Sequence, residues 1–363
     1  MECKICGADK AAKLLRICGA CLKKQPEDAR AAVEAAHRRS RRPLPGTPPK
    51  TPGGIVCQVC ANNCRLAPDE ASFCGLRVNR EGRLRHLAGT ARRGVASWYH
   101  DPLPTNCVAD WVCPAGSSSG YPRYSYRPGV EHGYYNLAVF LGGCSFDCLF
   151  CQNRQYHEMA VSLEPLVKPE ELAAAIRKDT ACICYFGGDP SPQVPFALKA
   201  ARLAVERARG RVLRVCWETN GNINPRLLGA VAELSLASGG CVKFDLKCYN
   251  DDLHRALTGV SNRQTLANFS FLAELALKRP DPPFLIASTL LVPGYVDTEE
   301  VAAVAKFIAG LDPQIPYSLL AFYPQHLMHD LPCTSRADAE ACRQAALDAG
   351  LKRVRLGNIH LLR

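Results

Sequence analysis

Residues 135–153 read YNLAVFLGGCSFDCLFCQN, a buried-type strand followed at once by a glycine pair and three cysteines spaced C-x3-C-x2-C. Downstream the same rhythm repeats. Apolar, β-rich runs at 181–186, 211–217, 241–246, 284–292 and 317–322 alternate with amphipathic helical patterns at 170–178, 195–209, 225–237, 264–278, 298–309 and 336–349. Short strands alternating with helices predict a parallel sheet with right-handed crossovers. Six such units predict an α/β chain folded as a partial (β/α)6 TIM-like barrel. Function then belongs at the C-terminal ends of the strands, where Cys144, Cys148 and Cys151 fall.

Three thiolates on one such loop can hold three irons of a cubane and leave the fourth without a protein ligand, an open position at which a bound molecule can react. A zinc site with a distant fourth ligand, or simply buried cysteines, is the blander alternative. The later strand ends carry further motifs: YFGGDPSPQ (185–193), WETNG (217–221), KFDLK (243–247), LLVPGYVDTEE (290–300) and SLLAFYPQH (318–326).

Taken in order, from about residue 130 to about 350, these motifs resemble the radical S-adenosylmethionine (SAM) superfamily. Within it they are most similar to the pyruvate formate-lyase activating enzymes and the AmmeMemoRadiSam-type proteins. The resemblance implies a [4Fe–4S] cluster on Cys144, Cys148 and Cys151, with the aromatic Phe150 before the last cysteine. It implies SAM chelated at the open iron and cleaved reductively to a 5′-deoxyadenosyl radical, which abstracts hydrogen from a protein or small-molecule substrate. It also implies a flavodoxin- or ferredoxin-like electron donor. Gly187, Gly188 and Asp189 match the family's Gly-Gly-Glu-Pro motif, and Glu218, Thr219, Asp245 and Lys247 match residues around the SAM carboxylate. Two acids differ by one methylene from the usual pattern: Asp189 replaces Glu, and Glu218 replaces Asp.

Twenty cysteines, with no apolar leader after Met1 and no long apolar run, predict a reducing, cytoplasmic setting in which clustered thiols bind metal. Cys3, Cys6, Cys18 and Cys21 have the spacing of a zinc ribbon, and a knot of residues 1–25 is too short to fold without a metal. Cys57, Cys60, Cys64 and Cys74 can close either a zinc site or a second [4Fe–4S] cluster; spacing does not decide. Cys182, Cys184, Cys216, Cys241 and Cys248 read as core thiols, while Cys107 and Cys113 have no assignment.

The expected division is a four-cysteine, zinc-ribbon-like knot (1–25), a basic helix and Pro/Gly-rich linker (26–54), a Cys-rich segment (55–130) and the α/β domain (131–363). Of the net charge of +11, residues 1–54 carry +7. That basic start suits an acidic donor or protein, or a solvated helix face. RNA modification through it is the second reading, disfavoured by the lack of aromatics for base stacking. A non-catalytic metal-binding adaptor is the third.

Overall fold

The computed structural model describes residues 1–363. Two helices, α1 (Gly19–Lys24) and α2 (Pro26–Arg41), precede two small antiparallel hairpins, β1 (Ile55–Val56) with β2 (Arg65–Leu66) and β3 (Arg77–Arg80) with β4 (Arg83–His86). The remaining strands form one nine-stranded sheet. They are β5 (Gly94–Pro102), β6 (Tyr135–Leu141), β7 (Leu166–Val167), β8 (Thr180–Gly187), β9 (Arg214–Thr219), β10 (Val242–Asp245), β11 (Leu285–Leu291), β12 (Tyr317–Ala321) and β13 (Val354–Gly357). Their order is β13-β12-β11-β10-β9-β8-β6-β5-β7, with β6 and β8 to β13 parallel and β5 antiparallel to both its neighbours. The crossovers are α3 (Gln155–Ser162), α4 (Pro169–Ala174), α5 (Val194–Ala208), α6 (Pro225–Ser238), α7 (Asp251–Thr258), α8 (Arg263–Ala276), α9 (Thr298–Leu311) and α10 (Arg336–Asp348). No helix is long and apolar enough to cross a membrane.

The six expected parallel strands are present, and three strands of the sheet, β5, β7 and β13, were missing from the expectation. β13 is too short to show a period, and β5 (GVASWYHDP) is an edge-side antiparallel strand with polar outward positions. Helix boundaries follow local chemistry. Asn224, Asn250, Asp297 and Ser335 each accept a backbone N–H at a helix start, and Gly239 and Gly259 end helices in the left-handed region.

Strand period two divides the sheet into two faces. Leu137, Val139, Ile183, Tyr185, Val215, Trp217, Val242 and Phe244 pack with the helices in the main core. Asn136, Ala138, Cys182, Cys184, Phe186, Arg214, Cys216, Glu218, Cys241, Lys243 and Asp245 alternate with them and line cavities on the inner face.

The N-terminal segments are docked, contrary to a linker that separates them from the α/β domain. Cys3, Ala11, Leu15, Cys18 and Leu22 belong to the main core. Gly19 N donates to Gly294 O at 2.9 Å, Lys23 pairs with Glu299 at 2.6 Å, and the Tyr295 hydroxyl both accepts from Ala12 N (2.8 Å) and donates to Ile17 O (3.0 Å). Tyr295→Phe leaves that amide and carbonyl unpaired in a buried position. It should cost about 1–3 kcal/mol in urea unfolding and expose residues 1–25 to limited proteolysis. An unchanged midpoint and cleavage pattern would show that the knot is not held here.

Candidate functional site

The Cys144–Cys151 loop leaves β6 at the C-terminal edge of the sheet, and three elements fix it. The last carbonyls of α7 accept its amides: Asp147 N donates to Thr258 O (2.8 Å) and Leu149 N to Leu257 O (3.0 Å). From α2, Ser40 Oγ donates to Asp147 Oδ1 (2.7 Å) and the His37 ring nitrogen meets Asp147 Oδ2 at 2.8 Å. From β9, Asn220 Nδ2 donates to Ser145 Oγ (2.9 Å) and reaches Cys144 Sγ (3.7 Å), while Phe146 N donates to the same sulfur (3.3 Å). Burial alone would raise the Asp147 carboxyl. The hydrogen bonds from His37 and Ser40 and the Arg41 charge outweigh it and hold the carboxyl below its usual range. The helix that supplies His37, Ser40 and Arg41 is the one read as a solvated basic helix. Those three residues share a polar face, which carries no sequence signal of burial.

One cavity of about 240 Å³ collects the cysteine triad together with Phe150, Gly187, Gly188, Asp189, Glu218, Thr219, Asp245 and Lys247. The structure gives these residues different work. Gly187 sits at φ +108, and a Cβ on Gly188 would stand 2.2 Å from Gly143 O and 2.6 Å from Tyr156 Cβ, so backbone lines the cavity here because side chains cannot. The Asp189 carboxylate is consumed in holding loops. It accepts from Ser191 N (2.7 Å), Asn220 N (2.8 Å) and the Thr219 hydroxyl (2.9 Å), and burial still raises its pKa. Glu218 pairs with the buried Lys243 at 2.7 Å.

Asp245 pairs with Lys247 through one oxygen, while its buried Oδ1 has no partner. Burial would lower the Lys247 pKa, but Asp245 and Cys148 together raise it, so the ammonium is held as a cation. It lies 5.6 Å from the Phe150 ring centroid and beside Cys148. An orphan carboxylate oxygen, a glycine cradle, a fixed cation and three thiols are the donor set for a zwitterionic amino acid bound at a thiolate-held metal centre.

Residues 139–308 match the model of the Radical SAM superfamily. Those residues, just under half of the chain, carry a radical SAM domain. An uncharacterized protein of Methanocaldococcus jannaschii is 23% identical over 310 residues, 84% of this chain and 81% of that one. Among named radical SAM relatives, the isethionate sulfite-lyase activating enzyme of Desulfovibrio desulfuricans is 36% identical over 38% of this chain and 40% of its own. Pyruvate formate-lyase 1-activating enzyme of Escherichia coli is 27% identical over 48% and 66%. The chain thus spans less than half the length of the first enzyme and about two thirds of the second. A solved structure of SuiB from Streptococcus suis overlaps 60% of this chain and 48% of its own, at TM-score 0.46 and 14% identity.

The two other cysteine groups, outside the radical SAM domain, differ in spacing. The ligand atoms of Cys3, Cys6, Cys18 and Cys21 all lie within 4.8 Å of one another, with Cys6 and Cys18 sulfurs 3.7 Å apart. Tetrahedral metal–thiolate bonds of about 2.3 Å require sulfurs about 3.8 Å apart, so this knot can hold a single tetrahedral ion. Cys57, Cys60, Cys64 and Cys74 are all buried, but no three of their sulfurs draw that close. Cys57 and Cys64 pack in one patch with Cys144, Cys148, Cys151, Phe73, Phe146 and Tyr156. Beside them lie two fully buried guanidiniums, Arg77 with no carboxylate partner and Arg41 with Asp147 near it. Arg77 reaches Cys74 Sγ at 3.6 Å, and Arg41 lies 4.0 Å over the Phe73 ring, with two nitrogens unpaired. Buried cations need counter-charge, and the cysteine sulfurs are the neighbouring groups that can carry it.

His254 on α7 meets the Val260 carbonyl at 2.6 Å and packs edge-on to Phe146 at 5.0 Å. Burial pushes its pKa down to about 4. Below the ordinary value of about 6.5 the unfolded chain takes up a proton that the folded chain refuses, so stability is full above that pH and falls toward pH 4. His254→Gln should flatten this slope by roughly 1–3 kcal/mol between pH 7 and pH 4.5, read by urea unfolding; parallel curves for parent and variant would refute it.

Proposed function

We propose that this chain is a radical SAM enzyme that reductively cleaves SAM at a [4Fe–4S] cluster held by Cys144, Cys148 and Cys151 and abstracts hydrogen from a protein or small-molecule substrate. The observation that carries this reading is the single 240 Å³ cavity in which the triad meets eight residues drawn from four separate strand ends. The bound cluster, once reduced, supplies the electron that breaks the sulfur–C5′ bond of SAM.

The chain's own residues bind and orient. Backbone at Gly187 and Gly188 faces the amino end of SAM, and Lys247 faces its carboxylate. The free Asp245 oxygen offers a further acceptor, while Phe150, Phe186, Leu290 and Leu320 exclude water from the cavity. Asp189, already saturated, positions the loops. The inner sheet face acts as the wall of a partial (β/α) barrel. The wide spacing of Cys57, Cys60, Cys64 and Cys74, the contact of Cys57 and Cys64 with the triad and the buried Arg77 guanidinium beside Cys74 support a second [4Fe–4S] cluster there, and the compact knot supports zinc. A flavodoxin- or ferredoxin-like donor would deliver the electron in a cytoplasmic setting. The activating role in the names of the relatives makes a protein glycine on a partner the first substrate class to try.

Anaerobically reconstituted protein given SAM and dithionite should release 5′-deoxyadenosine. Cys148→Ala should abolish release and lose about four iron atoms per chain. A fully loaded parent that forms no 5′-deoxyadenosine would end this reading. One zinc per chain, lost in Cys6→Ala, is expected from metal analysis; a zinc content unaffected by that change would remove zinc from the knot.

A further inference from the structure

A second cavity, of about 330 Å³, lies on the inner face toward the N-terminal ends of the same strands, and six cysteines line it. Cys182 and Cys184 come from β8, Cys216 from β9 and Cys241 from the start of β10; Cys107 and Cys113 come from residues 103–116. That segment is a plug laid across the sheet. Leu103 N donates to Tyr134 O at 2.9 Å beside β6, Ser318 Oγ of β12 donates to Val108 O at 2.8 Å, and Asp110 pairs with Arg355 of β13 at 2.6 Å. Phe186, Glu218 and Lys243 line both this cavity and the triad cavity, so they form the partition between them.

The sequence pattern assigned the four strand cysteines to the core, and they are indeed turned away from water. Yet none of them joins the main apolar cluster, which their strand neighbours Ile183, Tyr185, Val215 and Val242 do. Inward positions of (β/α) barrels are filled by bulky branched side chains. Here those positions carry small thiols and leave open space.

The charges are as unusual. Lys243 is buried, and its Nζ donates to Cys107 Sγ (3.1 Å), Cys184 Sγ (3.2 Å) and Glu218 Oε1 (2.7 Å). A neutral thiol is a weak acceptor, and a desolvated ammonium demands strong ones, which metal-bound thiolates are.

We propose that this chamber is a further iron–sulfur site, ligated by Cys107 and Cys113 of the plug and Cys184 and Cys216 of the sheet. The remaining two thiols are engaged as donors: Cys182 to Asn136 Oδ1 (3.4 Å) and Cys241 to Cys216 Sγ (3.9 Å). Cys107 Sγ is placed to donate as well, to Glu218 Oε1 at 3.5 Å, and accepts from Ala109 N at 3.4 Å; it is assigned as a ligand because Lys243 Nζ also donates to its sulfur at 3.1 Å. A polynuclear cluster fits better than a single ion. No three of the six sulfurs are mutually within 4.8 Å, the spacing that the four ligands of the knot achieve and that the Cys144 triad does not. Lys243 would then donate to two cluster thiolates, raising the potential of the cluster, and would hold that cluster next to the SAM cavity through Glu218.

Iron and acid-labile sulfide are counted on anaerobically purified full-length protein, on Cys107→Ser/Cys113→Ser and on Cys184→Ser/Cys216→Ser. Each double variant should lose about four iron and four sulfide per chain while zinc stays at the parent value. Iron equal to the parent in both double variants overturns the proposal, as does a parent whose iron is fully accounted for by Cys148→Ala and Cys60→Ser variants. Because a double variant can fail to fold, the parent is also treated with a maleimide before and after iron is stripped with chelator. Cys107, Cys113, Cys184 and Cys216 should be protected before and labelled after; equal labelling overturns the proposal. Cys148→Ala should keep the chamber iron, so a failure of SAM cleavage and a failure of this site read out separately.

Discussion

Asp147 is the constraint on which the site depends. A carboxylate between the first two cysteines of the triad is buried, and it is stable there only because Ser40 and His37 reach it from α2 and Arg154 and Arg41 stand near. That interaction does two things at once. It fixes the loop that presents Cys144, Cys148 and Cys151, and it fastens the N-terminal helix onto the α/β domain. The α7 carbonyls hold the same loop from the other side. The protein thus shapes the cysteine loop itself, through the Asp147 and Leu149 amides bonded to α7 and one buried anion.

The parallel sheet was legible because its strands are short apolar runs and its helices have capped, amphipathic patterns; six strands and most helices fall within a few residues of where those patterns put them. β13 and β5 were not legible, one for want of length and the other because an antiparallel strand near an edge needs no buried run. The triad and its eight companion residues were legible as an ordered series of motifs at strand ends. The roles within the series were not. Nothing in the letters shows that Asp189 spends both oxygens on neighbouring loops, or that Asp245 keeps one oxygen free. Burial of His37, Ser40 and Arg41 was hidden by their polarity, since a helix face of this composition is ordinarily wet.

Thiols and buried cations recur together through the molecule. Lys247 stands by Cys148, Arg77 by Cys74, and Lys243 by Cys107 and Cys184. Lys243 and Arg77 are fully buried and Lys247 is half-buried, and Arg77 has no carboxylate at all. Burying a cation beside a neutral thiol gains little, because sulfur is a poor acceptor; burying it beside a thiolate offsets two desolvation costs together. The repeated pairing therefore argues that these sulfurs are anionic in the working protein, a condition that metal ligation creates and burial alone opposes.

Sulfur spacing differs from one cysteine group to another. Within one chain the knot brings four sulfurs within 4.8 Å of one another, while the triad, the Cys57–Cys74 group and the plugged chamber hold theirs wider. The difference is not one of sequence spacing, since both the knot and the Cys57 group begin with C-x2-C. It comes from what the backbone does between the pairs. In the knot, Gly7 N returns to Cys3 O and Cys18 N donates to Cys3 Sγ, folding the two halves onto one point. In the other group, Cys57 N bonds to Cys64 O across a hairpin while Cys74 follows from a separate turn, so the sulfurs surround a volume. A point suits one ion, whereas sulfurs set around a volume leave room for more than one metal atom.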